Sequence, residues 1–472
     1  MRVLWLFPPS KIEGQVPLVG QNRWFKYMPN RANFIYPIMV AYGCTMLKNA
    51  GHEVSFLDYP AKDIGLLSLH DMETFSKYDL VIMEGRTAVI NWIWQIASEI
   101  KSHCKDVKIA LFGDHAICRP QESLGKGIDY IINCGDYDYG ALMLANALSH
   151  GTDVPGIFTS PNMANLDYLP FLDRDIVPWK DYYESWRHRD AFGWVAPERG
   201  CHARCIYCSW VMTLYHGAVR MMSPKRAVDE MQFAYHKYGI REFLDDSDTF
   251  YKAWGIKFLE ELESRKMDVF WNMQTRADQI PDVGTLKRMR KSGLHIVKLG
   301  ADAGNDDSLL RILKGHTIRD VELAVKRLRE ADVEVHINMV IGYPWEDKKT
   351  AYDTLKWVNS LKANQAQFSL IQPFIGTKLY DEAIERKWFN INPYDYDSWG
   401  MKKPILVGEM TSDEICQLYN DAWSGFYFRP SYILGNLWRS IKLSLKHRNL
   451  DTFHHLWRGY KGVKEGHLKA ME

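Results

Sequence analysis

Residues 199–210 read RGCHARCIYCSW, and this stretch places three cysteines within eight residues. Cys201, Cys205 and Cys208 follow the spacing C-x3-C-x2-C. An odd number of thiols cannot all pair with one another, and a closed zinc site of four cysteines has no obvious fourth ligand nearby. Cysteine thiolates hold four-iron clusters, and three ligands on one loop leave one iron open to an outside ligand. The pattern indicates an iron–sulfur loop, with a structural zinc loop as the alternative.

The composition of the 472-residue chain is that of an ordinary globular protein, with 46% hydrophobic and 25% charged residues. The net charge of +1 gives no general attraction to nucleic acid. The amino terminus, MRVLWLFPPS, predicts a strand and a turn rather than a signal peptide, and no apolar run approaches the roughly 18 residues of a membrane span. The five other cysteines (44, 104, 118, 134 and 416) are scattered and are interpreted as ordinary buried thiols. We expect a soluble, cytoplasmic protein with no nucleic-acid partner.

Residues 1–155 alternate short apolar runs with amphipathic, helix-like segments. The runs are VLWLF, EVSFLD, DLVIMEG, KIALFG and DYIINCG. Five such repeats predict an α/β domain with a doubly wound, Rossmann-like parallel sheet. Ligands bind beyond the carboxyl ends of the strands in such sheets. Those ends carry Gly85, Gly113, Asp114 and Gly135.

Residues 156–190 predict a linker strapped over a surface, and residues 191–388 predict a second alternating domain. Its strands read FGWVAPE, REFLDD, VFWNMQTR, HIVKLGAD, EVHINMVIG and QAQFSLIQPF. Six strand–helix units make a partial (β/α)6 barrel, two units short of the eight-stranded form. The three cysteines then lie in the loop after the first barrel strand, at the functional face. Residues 389–472 predict a mainly helical C-terminal domain.

The segment CHARCIYC, with an aromatic residue, Tyr207, before the last cysteine, resembles the signature of the radical S-adenosylmethionine (SAM) superfamily. The resemblance implies a six-unit barrel, a 4Fe-4S cluster on the three cysteines and SAM on the open iron. Reduction by an external donor such as flavodoxin or ferredoxin then cleaves SAM to methionine and a 5′-deoxyadenosyl radical.

Other barrel strand ends extend this resemblance. FLDDSDTF occupies the place where the family meets the methionyl amino group, so that Asp245, Asp246 and Asp248 are candidate ligands. Asp246 and Asp248 could equally be solvated turn acids. WNMQTRAD places Arg276 toward the functional face, with a surface salt bridge as the alternative.

The last three barrel strands also resemble family segments. In KLGADAGNDDSLLRILKG, Asp302 stands where the family usually has Glu, and the shorter side chain leaves its contact with ribose or carboxylate open. NMVIGYPWED resembles the segment that cradles the adenine, with Gly342 allowing close approach, although it could be merely a buried strand. LIQPFIGTKLYDEA resembles the sixth strand and its Gly-Thr turn.

The N-terminal domain has its own likeness. YPIMVAYGCTMLKNAGHEVSFLD and FGDHAICRPQESLGKGIDYIINCGD resemble the cobalamin-binding domain fused before many radical enzymes. The chain lacks the D-x-H-x-x-G motif of other cobalamin proteins and reads DHAIC at 114–118. The resemblance therefore implies base-off cobalamin without histidine ligation, with His115 as a polar cleft residue rather than a cobalt ligand. A vestigial domain without cofactor is the alternative.

The domain order and the tail segment TSDEICQLYNDAWSGFYFRPSYIL resemble the branch containing anaerobic magnesium-protoporphyrin ester cyclase and hopanoid-tailoring enzymes. This implies radical modification of an unactivated carbon in a lipid-like or tetrapyrrole substrate. We predict methyl transfer, with cyclisation, ring contraction or oxidation as the alternative. A non-catalytic corrinoid or iron–sulfur sensor is an alternative of another class.

The segment SYILGNLWRSIKLSLK predicts an amphipathic helix, and residues 429–472 hold nine Lys or Arg against three acids. The apolar stripe consists of Ile433, Leu434, Leu437, Trp438, Ile441 and Leu445. The basic side carries Arg439, Lys442 and Lys446, and Trp457, Arg458 and Lys461 repeat the mixture. Such a helix can lie in a lipid headgroup layer, so peripheral membrane contact is expected, with packing against the barrel as the alternative.

Overall fold

The computed structural model describes residues 1–8, 33–62, 68–184, 187–210, 214–399 and 404–430, together with 432–435, 437, 438 and 441. The strands are β1 (Arg2–Phe7), β2 (Asn33–Phe34), β3 (Glu53–Asp58), β4 (Leu80–Glu84), β5 (Lys108–Phe112), β6 (Tyr130–Ile132), β7 (Ile157–Phe158), β8 (Tyr183–Glu184), β9 (Phe192–Val195), β10 (Glu198–Arg199), β11 (Arg220–Met221), β12 (Glu242–Asp245), β13 (Phe270–Arg276), β14 (Leu294–Asp302), β15 (Glu334–Ile341) and β16 (Gln365–Leu370). The helices are α1 (Ile38–Asn49), α2 (Leu69–Phe75), α3 (Ile90–His103), α4 (Asp114–Cys118), α5 (Pro120–Ser123), α6 (Tyr137–Ser149), α7 (Pro224–Tyr238), α8 (Lys252–Arg265), α9 (Val283–Lys291), α10 (Asp306–Arg311), α11 (Ile318–Glu330), α12 (Lys348–Ser360), α13 (Lys378–Glu385) and α14 (Ser412–Tyr427).

The N-terminal sheet is parallel throughout and has the strand order β3-β1-β4-β5-β6-β7. The order reverses at β1, so the ligand crevice of this sheet lies beyond the carboxyl ends of β1 and β4. The sequence predicted five strands, whereas the structure adds β7 from the stretch interpreted as a linker. β7 has only two residues after Pro155 and Gly156, too few for a periodic signal.

The second sheet has the order β16-β15-β14-β13-β12-β9 and is also parallel, which confirms the predicted six-stranded partial barrel. In β15, His336 and Asn338 are half-buried, while the alternating Val335 and Ile337 are buried. Successive strand residues point to opposite faces, so apolar side chains pack under the helices and polar ones face the barrel lumen.

The segment between the two sheets is held tightly against the barrel. The buried guanidinium of Arg174 donates from Nη1 to Glu230 Oε1 at 3.2 Å and from Nη2 to the carbonyl of Trp194 at 2.9 Å. The ring of Tyr36, just before α1, stacks on Trp194 of β9 with centroids 5.4 Å apart. The two sheets therefore share one continuous core.

The C-terminal region described here is helical, as predicted. Thr411 and Glu414 form a capping box that starts α14. Tyr427, at its end, donates a hydrogen bond of 2.6 Å to the carbonyl of Ala366 in β16. No helix in the described ranges is both long and apolar enough to cross a membrane. Of the five cysteines outside the loop, 44, 104 and 134 are buried, whereas 118 and 416 are half-buried.

Candidate active site

The cysteine loop connects β10 and β11, two short antiparallel strands that follow the carboxyl end of β9. Gly200 has a φ of +92°, and a Cβ on it would lie 1.8 Å from the carbonyl oxygen of Ala218, so the loop requires glycine there. Asp248 Oδ2 accepts a hydrogen bond of 2.7 Å from the Gly200 amide. The segment that follows β12 therefore holds the start of the cysteine loop in place.

The three thiols differ in burial and do not form a one-metal site among the described residues. Cys201 and Cys205 are buried and Cys208 is half-buried. Within the described residues, the three Sγ atoms do not converge within 4.8 Å of one another, as ligands of a single zinc ion would. Burial raises the pKa of the Cys205 thiol to about 11, against the opposing charge of Lys314. The hydroxyl of Thr249 donates a hydrogen bond of 3.1 Å to Cys201 Sγ.

The three aspartates after β12 have different environments. Asp245 is buried and accepts hydrogen bonds of 3.0 Å from the amides of Ser247 and Gln274, which makes it a support for the strand ends. Burial, together with the carboxylate of Glu184, holds the pKa of Asp246 well above its ordinary value. Neither Asp246 nor Asp248 is fully solvated, since both are half-buried. Their role as ligands or as turn acids remains a prediction.

Arg276 is buried at the end of β13 rather than at the surface, being 4% exposed. Its Nε donates to Asp278 Oδ1 at 2.9 Å, while the buried Nη1 has no hydrogen-bond partner among the described residues. His316 lies nearby, with its Nδ1 3.7 Å from Asp278 Oδ1. A buried donor without a partner costs free energy, so this corner suits an anionic ligand group.

Asp302 ends β14 in the left-handed region, with a φ of +67° next to a register shift. Tyr207 donates a hydrogen bond of 2.6 Å to its Oδ2, and Lys314 forms an ion pair with the same oxygen. Burial alone would raise the pKa of Asp302, but the Lys314 ammonium holds it below its ordinary value. Two protein groups therefore engage one oxygen of this carboxylate, whose charge acts on the nearby Cys205 thiol.

Gly342, after β15, has a φ of +78°. A Cβ on it would lie 3.1 Å from Ile415 Cγ2 in α14. The positive φ therefore favours glycine at this position, a Cβ would also crowd Ile415, and the proposed adenine contact remains a prediction.

The N-terminal strand ends are also brought to this region. Gly113 has a φ of +104°, and its α-carbon faces the Gly85 carbonyl so closely that a Cβ would lie 2.9 Å from that oxygen. Asp114 begins α4 and accepts a hydrogen bond of 2.9 Å from the amide of His115. The two glycines therefore line adjacent strand ends where backbone can approach a ligand.

His115 itself is fully buried, beneath the C-terminal segment. Its ring lies edge-on to Tyr396 with centroids 4.8 Å apart, and its Nδ1 is 3.2 Å from Thr87 Oγ1. Burial lowers the pKa of His115 to about 3, so the ring is neutral. In this position its side chain lies outside any open cleft.

The carboxyl ends of the two sheets meet at the cysteine loop. A Cβ on Gly135, after β6, would lie 2.1 Å from the carbonyl oxygen of Leu214 in the loop that follows the cysteines. Arg199, two residues before Cys201, forms buried ion pairs with Asp136 at 3.0 Å and Asp138 at 2.6 Å. The N-terminal strand ends therefore press directly on the loop that carries the three thiols.

Residues 195–358 match the Radical SAM superfamily. The chain contains a radical SAM domain. This match covers the cysteine loop, the last residue of β9 and four whole barrel strands, β12 to β15, and it confirms the resemblance stated from the CHARCIYC segment.

Whole-chain comparisons extend beyond the radical SAM domain. The chain is 25% identical over 429 residues to an uncharacterized methyltransferase of Pyrococcus horikoshii, an alignment covering 85% of this chain and 90% of that protein. It is 26% identical over 472 residues to the anaerobic magnesium-protoporphyrin IX monomethyl ester cyclase of Cereibacter sphaeroides, covering 90% of this chain and 74% of that protein. These relatives confirm the expectation of an enzyme.

A solved structure shares the fold of both domains. The cobalamin- and [4Fe-4S]-bound radical SAM methyltransferase TsrM from Kitasatospora setae has a TM-score of 0.63 at 17% identity, covering 88% of this chain and 84% of that chain. The radical SAM domain and the N-terminal sheet thus occur together in one known architecture.

Several residues of the site were missed by sequence reasoning. Lys314 and Glu198 are buried charges beside the cysteine loop, and Glu198 Oε2 has no hydrogen-bond partner in the described part of the chain. Burial, with the nearby carboxylate of Asp245, holds the pKa of Glu198 well above its ordinary value. In the sequence, Lys314 could have been noticed as a single lysine after the apolar run of α10. Glu198 could have been noticed as the acidic residue directly before the RGC segment.

Proposed function

We propose that this protein is a cobalamin-dependent radical SAM enzyme that transfers a methyl group to an unactivated substrate carbon. When bound, the cofactors would supply reductive cleavage of SAM at the 4Fe-4S cluster and a methyl carrier at the corrinoid. The observation that carries the proposal is the meeting of the two sheets at Gly135 and Leu214, which brings both ligand-binding edges to one place.

The residues of the chain have distinct parts in this proposal. Cys201, Cys205 and Cys208 would hold the cluster, because the three thiols lie on one loop within the part of the chain that matches the Radical SAM superfamily. Arg276 would bind the SAM carboxylate through its unpartnered Nη1. Asp302 would help to orient the cysteine loop through Tyr207. Gly85 and Gly113 would let a corrinoid approach the N-terminal strand ends.

The barrel lumen supports a substrate that carries a polar group. Residues at one level of four adjacent strands, Gln274, Lys298, His336 and Gln365, are paired in register and half-buried. They would contact the head group of a lipid or the carboxylates of a tetrapyrrole, while the reacting carbon lies nearer the cysteine loop. The electron donor would be a flavodoxin or ferredoxin in a reducing cytoplasm.

The test is an anaerobic reaction of the reconstituted full-length protein with SAM bearing a trideuterated methyl group, using candidate lipids and tetrapyrroles as substrates. Transfer of the labelled methyl group to product, dependent on hydroxocobalamin, is expected. Product formation without the label supports the second candidate, radical cyclisation or oxidation, which the similarity to the ester cyclase over 90% of this chain favours. Product formed equally without corrinoid would contradict the role of cobalamin.

Peripheral membrane contact is a further part of the proposal. The apolar side chains of the C-terminal stripe that the structure describes are exposed, with Leu434 at 64% and Trp438 at 71%. Exposure supports a lipid contact over packing on the barrel. Leu445 and the basic residues Arg439, Lys442, Lys446, Arg458 and Lys461, with Trp457, lie outside the described residues.

Flotation on anionic liposomes tests this contact. Full-length protein should float at low salt, and a Leu434→Glu, Trp438→Glu variant should not, whereas Tyr168→Glu, a matched change at an exposed aromatic far from the stripe, should float normally. If the full-length protein stays at the bottom, the membrane contact is wrong.

A further inference from the structure

A second polar cluster lies at the amino ends of the barrel strands, at the face opposite the cysteine loop. His188 precedes β9, Glu242 is the first residue of β12, and His295 is near the start of β14. One ligand atom from each of the three side chains can be chosen so that all lie within 4.8 Å of one another. Two imidazoles and a carboxylate are characteristic transition-metal ligands.

The orientation of His295 is that of a metal ligand. Its Nδ1 lies 2.8 Å from the Trp271 carbonyl oxygen, so Nδ1 carries the proton and donates. Its Nε2 is buried and lies 3.0 Å from Glu242 Oε1. With the proton on Nδ1 directed at the Trp271 carbonyl, Nε2 is the nitrogen that can face a metal ion shared with the Glu242 carboxylate.

Glu242 is supported as a ligand would be. The side chain is fully buried, and its Oε2 accepts hydrogen bonds from the amides of His188 at 2.8 Å and Arg189 at 2.5 Å. Oε1 lies 3.1 Å from the same His188 amide and faces His295. Such outer contacts fix the orientation of metal-binding carboxylates and imidazoles.

A fourth side chain lies beside the cluster and contacts His188. Glu334, the first residue of β15, places Oε1 3.3 Å from His188 Nε2. In a tetrahedral zinc site with bonds of about 2.0–2.1 Å, neighbouring ligand atoms are about 3.3 Å apart. The distance from His295 Nε2 to Glu242 Oε1, 3.0 Å, is close to such an edge.

We propose that His188, Glu242 and His295 form a structural site for one divalent transition metal, zinc by its ligand type, with Glu334 beside His188. The metal would join the end of the connecting segment to two barrel strands, β12 and β14. Because it would lie at the opposite ends of the strands from Cys201, it has no part in the radical reaction. The proposal stands independently of the function proposed above.

The experiment measures metal content and affinity on the full-length protein with its iron–sulfur cluster assembled. Zinc and iron are quantified together, and Co²⁺ then replaces zinc as a spectroscopic probe. One zinc per chain is expected, and the Co²⁺ form should lack thiolate-to-cobalt charge transfer, which separates this site from metal on cysteines. Zinc binding should also raise the melting temperature, since it stabilises the folded chain.

The key variant is His188→Ala, since this side chain is 28% exposed and its loss leaves the core intact. Its zinc affinity should fall by at least about 100-fold, the upper range for losing even a supporting group. Glu242→Gln should behave in the same way, and His150→Ala, at an exposed site, should keep full affinity. The proposal is overturned if wild-type protein binds no zinc beyond the cysteines, or if His188→Ala binds it as tightly as wild type.

Discussion

Asp138 in α6 and Arg199, two residues before Cys201, form an ion pair of 2.6 Å between side chains that are 0% and 3% exposed. The pair joins the N-terminal domain to the strand that leads into the cysteine loop. Burial raises the pKa of Asp138, although Arg199 opposes that effect. The interface between the two domains therefore depends on a buried ion pair.

Arg199→Met should destabilise the protein strongly. It leaves Asp138 buried without its cation and removes one of the cations beside Asp136, and breaking a buried pair costs about 3–5 kcal/mol. Chemical denaturation followed by fluorescence measures the change. In the control Arg2→Met, the lost partner is Asp79 in a pair 49% and 38% exposed, and the cost should stay below about 1 kcal/mol. Equal costs for the two variants would refute this account of the domain contact.

Gly135→Ala should push the carboxyl end of β6 away from the loop that follows the three cysteines. The added Cβ would meet the Leu214 carbonyl at 2.1 Å, and backbone cannot move aside without shifting the loop. Overpacking of this kind typically costs about 1–3 kcal/mol, and bound corrinoid and cluster iron should both decrease. Gly425→Ala is the control, because nothing lies within 4 Å of a Cβ there. Unchanged cofactor content in Gly135→Ala would argue against a shared site.

Asp58, at the end of β3, should make stability depend on pH. Burial raises its pKa from 3.8 to about 7, while its Oδ2 accepts a hydrogen bond of 2.7 Å from Tyr182. The folded state therefore holds a proton that the unfolded state releases between these values. Below pH 3.8 the protonated Asp58 makes its full contribution to the free energy of unfolding. This contribution is lost as the pH rises to 7, by an amount on the order of 4 kcal/mol.

Asp58→Asn should remove that dependence. Relative to wild type, the variant should gain stability from about pH 4 to 7, measured by urea denaturation at each pH. Asp79→Asn is the matched control, because hydrogen bonds and charge from Arg2 outweigh burial and lower the pKa of Asp79. Its difference from wild type should be flat above pH 5. If the difference in stability between Asp58→Asn and wild type does not change with pH, folding does not raise the pKa of Asp58.

Arg276→Gln should weaken SAM binding to the cluster-loaded, unreduced protein. A hydrogen bond to a charged group is worth about 1.5–3 kcal/mol, so the dissociation constant should rise roughly tenfold to a hundredfold. Isothermal titration calorimetry gives the constants. Arg288→Gln removes an exposed arginine paired with Glu263 and should bind SAM as wild type does. Identical affinities for both variants would exclude Arg276 from the SAM site.

Local pattern was sufficient to predict the two sheets and the cysteine loop. Strand periodicity is a property of neighbouring residues, and the CHARCIYC segment is contiguous. The partners of the site were not predictable in this way. Tyr207 and Asp302 are 95 positions apart, and Asp138 and Arg199 are 61 apart. Only the folded backbone brings them together.

Long-range contacts, which local sequence patterns do not reveal, also explain where the structure differs from the expectations for single residues. His115 looked like a cleft residue because it follows a strand end, but Tyr396 from the distant C-terminal segment covers it. Arg276 could be a surface salt bridge in sequence, yet the packing around β13 buries it. Gly342 is next to Ile415 because α14 folds back on the barrel. Each outcome depends on a long-range contact.

The central claim is that Cys201, Cys205 and Cys208 hold a cluster that cleaves SAM. The most direct measurement is 5′-deoxyadenosine formation by the anaerobically reconstituted protein with SAM and a strong reductant, together with its iron content. The wild type should form 5′-deoxyadenosine and hold about four irons, and a variant with all three cysteines changed to Ala should do neither. Full iron retention in that variant, or no 5′-deoxyadenosine from iron-loaded wild type, would contradict the account.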